Sequence, residues 1–229
     1  MKKPIFYLRV TDAAELRRFI ISYKRASGNE LPESYVRKAL CFQFYLGLTP
    51  VGGFILNTAE MTDLRYLSYL EPSVRKMVLQ NEGIQATDIL EITAAYMTPG
   101  LSQRHKLFYY RVLIFVAYSH CRRLRKTYLC GGSVIRKLQV IQQGLMPRVI
   151  YYGTVRNTTQ TRIKQPGLLK IYLVENRKVP LRAILLLINR FLVKNTVLSL
   201  GNSATRWIQR WRTPSAFSPD ATGRTVLGS

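Results

Sequence analysis

The stretch ILEITAAYMTPG, residues 89–100, sets a single acid into an apolar run. Ile89, Leu90, Ile92, Ala94, Ala95, Tyr96 and Met97 suit a strand, and Glu91 does not. A carboxylate in such a run costs several kcal/mol unless it is paired or borders a wet cleft. In a cleft it can serve as a base, and partial burial raises its pKa toward the range a base needs. The plain alternative is a salt bridge to a nearby arginine. Strand alternation predicts that Ile89, Glu91, Thr93, Ala95 and Met97 share one face. Pro99-Gly100 closes the run. Gly100, Ser102, Arg104 and Lys106 then bring together a turn, a helix cap and two cations, an arrangement that can hold a phosphate by helix dipole and side-chain charge. Cys130, Gly131, Gly132 and Ser133 sit at a strand-to-helix turn. The thiol would need a base beside it to act as a nucleophile, and no Cys–His–acid spacing is readable, so a buried cysteine and a capping serine are the expectation. His105 and His120 are the only histidines, and Cys41, Cys121 and Cys130 show no paired spacing. The chain therefore reads as one with reduced thiols and no metal centre.

These residues need elements to position them. IFYLRVT is a first strand, and Asp12 caps a helix that stops at Gly28. Pro32 opens a second helix, ESYVRKALC. FQFYLGLTPVGGFILNTA carries two strands with the turn expected at Thr49-Pro50-Val51-Gly52-Gly53. Residues 60–88 look irregular apart from a helix at PSVRKMVLQNEG. After the strand at 89–97, Ser102 caps a long helix over 103–124, apolar on nearly every side and so expected against a sheet. KTYLCGG is a strand closed by its glycines, Ser133 caps VIRKLQVIQQG, and RVIYYGTV and GLLKIYLV are two more strands. Strand–helix–strand–helix–strand over 89–155 is an α/β pattern.

The chain of 229 residues is 47% hydrophobic, enough for one sizeable core plus an appendage. It shows neither a secretory signal nor an apolar run approaching the roughly 20 residues that span a bilayer, so a cytoplasmic protein, with membrane association as an option, is the expectation. Charge is uneven. Residues 1–91 hold 12 Lys/Arg and 10 Asp/Glu, whereas residues 92–229 hold 23 Lys/Arg against Glu175 and Asp220. A second half at +21 calls for an anionic partner. The candidates are a phosphate-bearing cofactor, an anionic membrane surface, an acidic protein or nucleic acid. Arg206, Trp207, Arg210, Trp211 and Arg212 interleave cations with aromatics, as interfacial segments do. Nucleic acid ranks last, since no recognised RNA-binding or helix-turn-helix pattern is present.

The order strand, two helices, hairpin, central strand, long helix, strand, helix, strand resembles the GNAT N-acyltransferase fold. ILEITAAYM stands for the family's central fourth strand, SQRHKLFYYRVLIFVAYSHCRRL for the helix after it and KTYLCGG for the fifth strand. SVIRKLQVIQQGLMPRVIYYG stands for the helix and strand that close the domain. The insertion over 60–88 and the acid in the central strand look most like the acyl-homoserine-lactone synthase branch and similar long-chain N-acyltransferases. The loop TPGLSQRHK departs from the family's glycine-rich pyrophosphate motif, and Ala94-Ala95 stand where the autoinducer branch expects an arginine. The resemblance implies a splayed mixed sheet and acyl transfer from an acyl-CoA or acyl-carrier-protein thioester to an amine, with no tightly bound cofactor. It makes Glu91 and Tyr151 or Tyr152 the proton-handling residues, the tyrosine protonating the leaving thiolate. The donor's phosphates would sit at Gly100, Ser102, Arg104 and Lys106, and an acidic carrier protein would suit the basic half. The domain expected is 1–175, followed by a basic helical extension at 176–212 and a disordered tail at 213–229. The alternative is a module on the same fold that has lost catalysis and binds an anionic membrane or an acidic protein.

Overall fold

In the structure, a computed structural model, residues 4–154 and 168–185 are described. Among these residues seven strands form one mixed sheet in the order β1-β2-β3-β4-β5-β7-β6. They are β1 Ile5–Val10, β2 Leu40–Leu46, β3 Thr49–Thr58, β4 Ile89–Met97, β5 Tyr128–Ser133, β6 Arg148–Thr154 and β7 Leu168–Glu175. All neighbours are antiparallel except β4 and β5. That parallel pair requires a crossover, and α5 (Gln103–Arg123) supplies it.

Helices cover both faces. On one side, α1 (Ala13–Ser27) and α2 (Glu33–Lys38) pack Leu16, Phe19, Tyr23 and Val36 against Ile55, Ala94 and Tyr96. Beside them, α3 (Arg65–Ser68) and α4 (Pro72–Glu82) bring Leu67, Tyr69 and Val78 onto Ile89, Cys130, Ile171 and Leu173. The opposite face buries Tyr109, Leu113, Val116 and Ala117 of α5 against Phe44, Phe54, Leu56, Leu90 and Ile92. Leu145 of α6 (Arg136–Leu145) joins that core.

Local signals account for most of the ends. Asp12 accepts the amides of Ala14 and Glu15 at 2.8 and 3.2 Å, and α1 stops at Gly28 in the left-handed region. Three boundaries differ from the sequence expectation. Leu40 and Cys41 belong to β2, not to the second helix. The hairpin turn is Gly47-Leu48, because Leu46 pairs with Thr49, so Pro50, Gly52 and Gly53 lie inside β3. Those glycines serve close packing: a Cβ on Gly53 would stand 2.6 Å from the Phe19 ring and 2.8 Å from the Phe42 carbonyl oxygen. Likewise Gly131 and Gly132 lie within β5 and do not close it. Ser133 ends that strand, and Ile135 occupies the cap position of α6.

β7 ends at Glu175. Of the expected extension, Asn176–Lys178 form a 3₁₀ turn and 179–185 are helical, with Val179 buried in the α5-side core. The tryptophan-bearing segment and the tail lie outside the described residues. No helix among the described residues is long and apolar enough to cross a membrane.

Candidate functional site: a fork in the sheet and a buried acid beside it

β4 and β5 pair only from Ile89↔Tyr128 to Ile92↔Gly131. Beyond that point β4 continues to Met97 along β3, and β5 continues to Ser133 along β7. The two central strands part, leaving β4 from Thr93 onward without a neighbour on its β5 side among the described residues. At the same place β4 carries a bulge, since Ile55 faces Thr93 while Gly53 faces Tyr96. Ala94 absorbs the extra residue at φ 51°, a region uncommon for alanine. The bulge reverses the alternation. Glu91 and Thr93 face the α1–α4 side as expected, but Tyr96 then joins that side, and Met97 packs against the α5-side core. The predicted sharing of one face by residues 89 to 97 therefore ends at Thr93. Across the fork, the Gly132 carbonyl accepts from the Gln142 side chain at 3.2 Å.

Glu91 is fully buried. Its Oε2 accepts the Arg65 amide at 2.8 Å and its Oε1 the Tyr66 amide at 2.7 Å. These are the first two N–H groups of α3, whose cap position is held by Leu64 with no capping side chain. The acid thus caps a four-residue helix from across the chain. Burial pushes the carboxyl up to about 7, against the opposing pull of the two amides and the Arg65 charge. Its register partners are Asn57 on β3 and Cys130 on β5.

Arg65 follows into the same buried layer. Its Nε donates to the Tyr69 hydroxyl at 2.6 Å and its Nη2 to the Glu30 carbonyl at 3.4 Å. The guanidinium lies 5.8 Å from the Tyr23 ring centroid and 5.9 Å from that of Tyr69. The Tyr66 ring packs against Gly132, where an added Cβ would meet it at 2.8 Å. Tyr23 meets Tyr96 edge-on at 5.9 Å. The cluster therefore touches both arms of the fork, β5 through Gly132 and β4 through Tyr96. Sequence reading passed over Arg65, Tyr66 and Tyr69 because they lie in a segment without periodicity; the Arg65/Tyr69 spacing of one helical turn was the available signal.

The other expected residues are distributed around the fork. Gly100 is left-handed at φ 85°, as its turn requires. Ser102 caps α5, its hydroxyl accepting the His105 amide at 3.3 Å, and Arg104 is exposed in the first turn with half-buried Lys106 beside it. Tyr151 and Tyr152 lie on β6, separated from β4 by β5 and β7, a backbone distance of about 14 Å at the usual strand spacing. Tyr151 packs on the α3 side and donates its hydroxyl to the Thr154 carbonyl at 3.0 Å. Tyr152 is exposed, with the Lys170 ammonium 4.8 Å from its ring centroid. Cys130 is buried, and burial with the neighbouring Glu91 pushes its thiol upward, which suits packing and not nucleophilic attack. Among the described residues no cluster of His, Cys, Asp or Glu could hold a metal.

No family model and no curated protein matches the chain. Solved structures do. An N-acyl amino acid synthase from uncultured soil microbes, FeeM, superposes with a TM-score of 0.54 at 15% identity, over 77% of this chain and 94% of its own. The AHL synthase LasI gives 0.48 at 9% identity, over 76% of this chain and 91% of its own. A putative acetyltransferase from Salmonella typhimurium, solved with acetyl-CoA, gives 0.48 at 9%, over 75% and 94%. The first of these superpositions, together with the seven-stranded mixed sheet flanked by helices, shows that this chain has the GNAT fold.

Proposed function

We propose that the chain is an N-acyltransferase that moves an acyl group from a thioester donor to an amine. The observation that carries this reading is the fork, where among the described residues nothing pairs with β4 from Thr93 to Met97 on its β5 side. An extended arm bearing amides, as acyl-CoA and acyl carrier proteins both have, can pair there as a missing strand would. Gly100, Ser102, Arg104 and Lys106 would meet the phosphate end of the donor at the start of α5.

The amine nitrogen attacks the thioester carbonyl, a C–N bond forms, the C–S bond breaks, the nitrogen gives up a proton and the sulfur gains one. Glu91, whose oxygens both accept backbone amides, acts in this scheme by fixing α3 and its tyrosines beside the fork. Of the two candidate acids for the leaving sulfur, Tyr151 is the better, because it lies on the same sheet face as Glu91, whereas Tyr152 pairs with Lys170 on the opposite face. Calorimetry with CoA thioesters of graded chain length tests the reading. Saturable binding by at least one thioester is expected, and failure of every CoA and carrier-protein thioester to bind would end it.

A second reading is a binding module on the same fold. It is favoured by the outer face of α5, where Arg104, Arg111, Phe115 and Arg122 recur at helical spacing and Phe115 is 64% exposed. Such a face suits an anionic membrane or an acidic protein. Sedimentation with anionic vesicles that weakens as salt rises is its signature.

A further inference from the structure

Gln142 stands where a strand amide is missing. Asn176 donates its N–H to the Thr127 carbonyl at 2.8 Å, so the ladder between β5 and β7 starts on a hydrogen-bonded pair. Opposed residues of an antiparallel pair alternate between bonded and non-bonded. The pairs Gly131↔Tyr172 and Ser133↔Lys170 therefore bond across to β7, and the N–H and C=O of Gly132 point the other way, into the fork. In an unbroken parallel pair an amide of β4 would meet that carbonyl. Pairing with β4 has ended by then, and the Gln142 side chain of α6 donates to the Gly132 carbonyl instead, at 3.2 Å.

A carbonyl only accepts, so this contact fixes which end of the Gln142 carboxamide is nitrogen and leaves the oxygen for another partner. That Oε1 is shielded from solvent and accepts no hydrogen bond among the described residues. Buried acceptors are normally paired, because one left unmet forfeits its hydration for nothing in return. The side chain is also held where it is. Gln139, one turn earlier on α6, donates to the carbonyls of Ser133 and Leu168, both at 2.9 Å. Gly131 lets the helix approach, since a Cβ there would stand 2.9 Å from the Met146 methyl and 3.5 Å from Gln142 Nε2. The carboxamide is thereby fixed on the β5 edge of the fork, across from the β4 backbone of Thr93 to Met97.

The arm of a thioester donor fits between these two edges. Phosphopantetheine carries secondary amides, each with a carbonyl on one side and an N–H on the other, as a strand has. β4 can pair with one edge of such an arm. On the other edge Gln142 Oε1 offers the acceptor that a neighbouring strand would have given. We infer that Gln142 binds the phosphopantetheine arm of the donor, its Oε1 accepting an amide N–H of the arm while its Nε2 stays on Gly132. The inference rests on the acyl-transfer reading and names the group of this chain that holds the donor opposite β4.

The test compares ligands with and without the arm. Coenzyme A is paired with the adenosine bisphosphate that lacks the arm, and a phosphopantetheinylated acyl carrier protein with its apo form. Each is titrated by calorimetry into the full chain and its Gln142→Met and Gln142→Glu variants, with circular dichroism to check folding. In at least one pair the ligand bearing the arm is expected to bind more tightly, and the pair that shows this identifies the source of the arm. Gln142→Met should weaken that ligand about 5- to 30-fold, as the loss of one buried hydrogen bond implies, and change the armless one less than about twofold. Gln142→Glu, which keeps an acceptor at the same reach, should retain part of the difference. If Gln142→Met does not fold, the wild-type chain decides by nuclear magnetic resonance: the side-chain amide signals of Gln142 should move with the arm-bearing ligand and stay in place with the armless one. An affinity unchanged in Gln142→Met, an equal loss for both members of a pair, or side-chain signals indifferent to the arm would overturn the inference and leave the acyl-transfer reading standing. Binding by neither arm-bearing ligand would overturn it too, and the acyl-transfer reading falls with it only if every thioester also fails to bind.

Discussion

Replacing Glu91 with glutamine separates two forces that act on one carboxyl. Burial favours its neutral form, while two backbone amides and the Arg65 charge favour its anion; the net effect raises the pKa from 4.5 to about 7. A group that holds its proton more tightly in the folded state adds stability that is complete below about pH 4.5 and lost as pH rises to about 7. The difference of about 2.5 units corresponds to about 3 kcal/mol. Glutamine cannot ionise, so it removes that slope. It also turns one acceptor into a donor facing a backbone N–H, a pH-independent loss of about 1–3 kcal/mol. Urea denaturation followed by far-ultraviolet circular dichroism, run on wild type and Glu91→Gln at half-unit steps from pH 4.5 to 8, gives the difference directly. The stability advantage of wild type should shrink by about 3 kcal/mol across that range and level off above pH 7. A gap that stays flat or widens with pH would refute the reasoning, because it would mean that the amides outweigh burial and the cap is an ordinary anion.

Further outcomes test the packing and the site. Gly53→Ala should lower stability by about 1–3 kcal/mol, since the new methyl meets a backbone oxygen that cannot move aside; the urea midpoint reports it. Asp12→Ala should cost about 1 kcal/mol through the lost α1 cap, read in the same assay. Burial pushes the thiols of Cys41 and Cys121 up to about 12, so both should resist a thiol reagent at pH 8 until the chain is unfolded, while rapid labelling of the native protein would contradict their burial. If Tyr151 is the acid for the leaving sulfur, Tyr151→Phe should slow thioester turnover at least tenfold and Tyr152→Phe should leave it within twofold, in about the range general acids supply; the reverse order would exchange their roles.

The sequence carried the succession of elements because each has a local cause. Asp12, Gly28, Ser102 and the long apolar run of α5 act within a turn or two of where they sit. Turn position was less readable, since glycines at 52 and 53 look like turn residues until the rings and carbonyl packed on them are known. Glu91 was recognisable as out of place, but not its partners, because they lie 25 and 26 positions earlier in a helix of one turn. Ala94 gave no sign of its left-handed backbone, which is imposed by the bulge and not by residue type. The fork follows from pairing between residues 39 positions apart, Ile89 with Tyr128 to Ile92 with Gly131, a property of register that no local pattern encodes.

A sheet normally has two rims, and this one has a third in its interior. One strand thereby acquires two regimes of amide exchange. Ile89 to Ile92 lie between two neighbouring strands and their N–H groups should open only with the whole domain, whereas Thr93 to Met97 have β3 as their one neighbour among the described residues, with a bulge at Ala94-Ala95, and should exchange through smaller openings. Whatever linear molecule lies along that inner rim would make the strand uniform, so its occupancy can be read from deuterium uptake at five consecutive positions without any chemistry taking place.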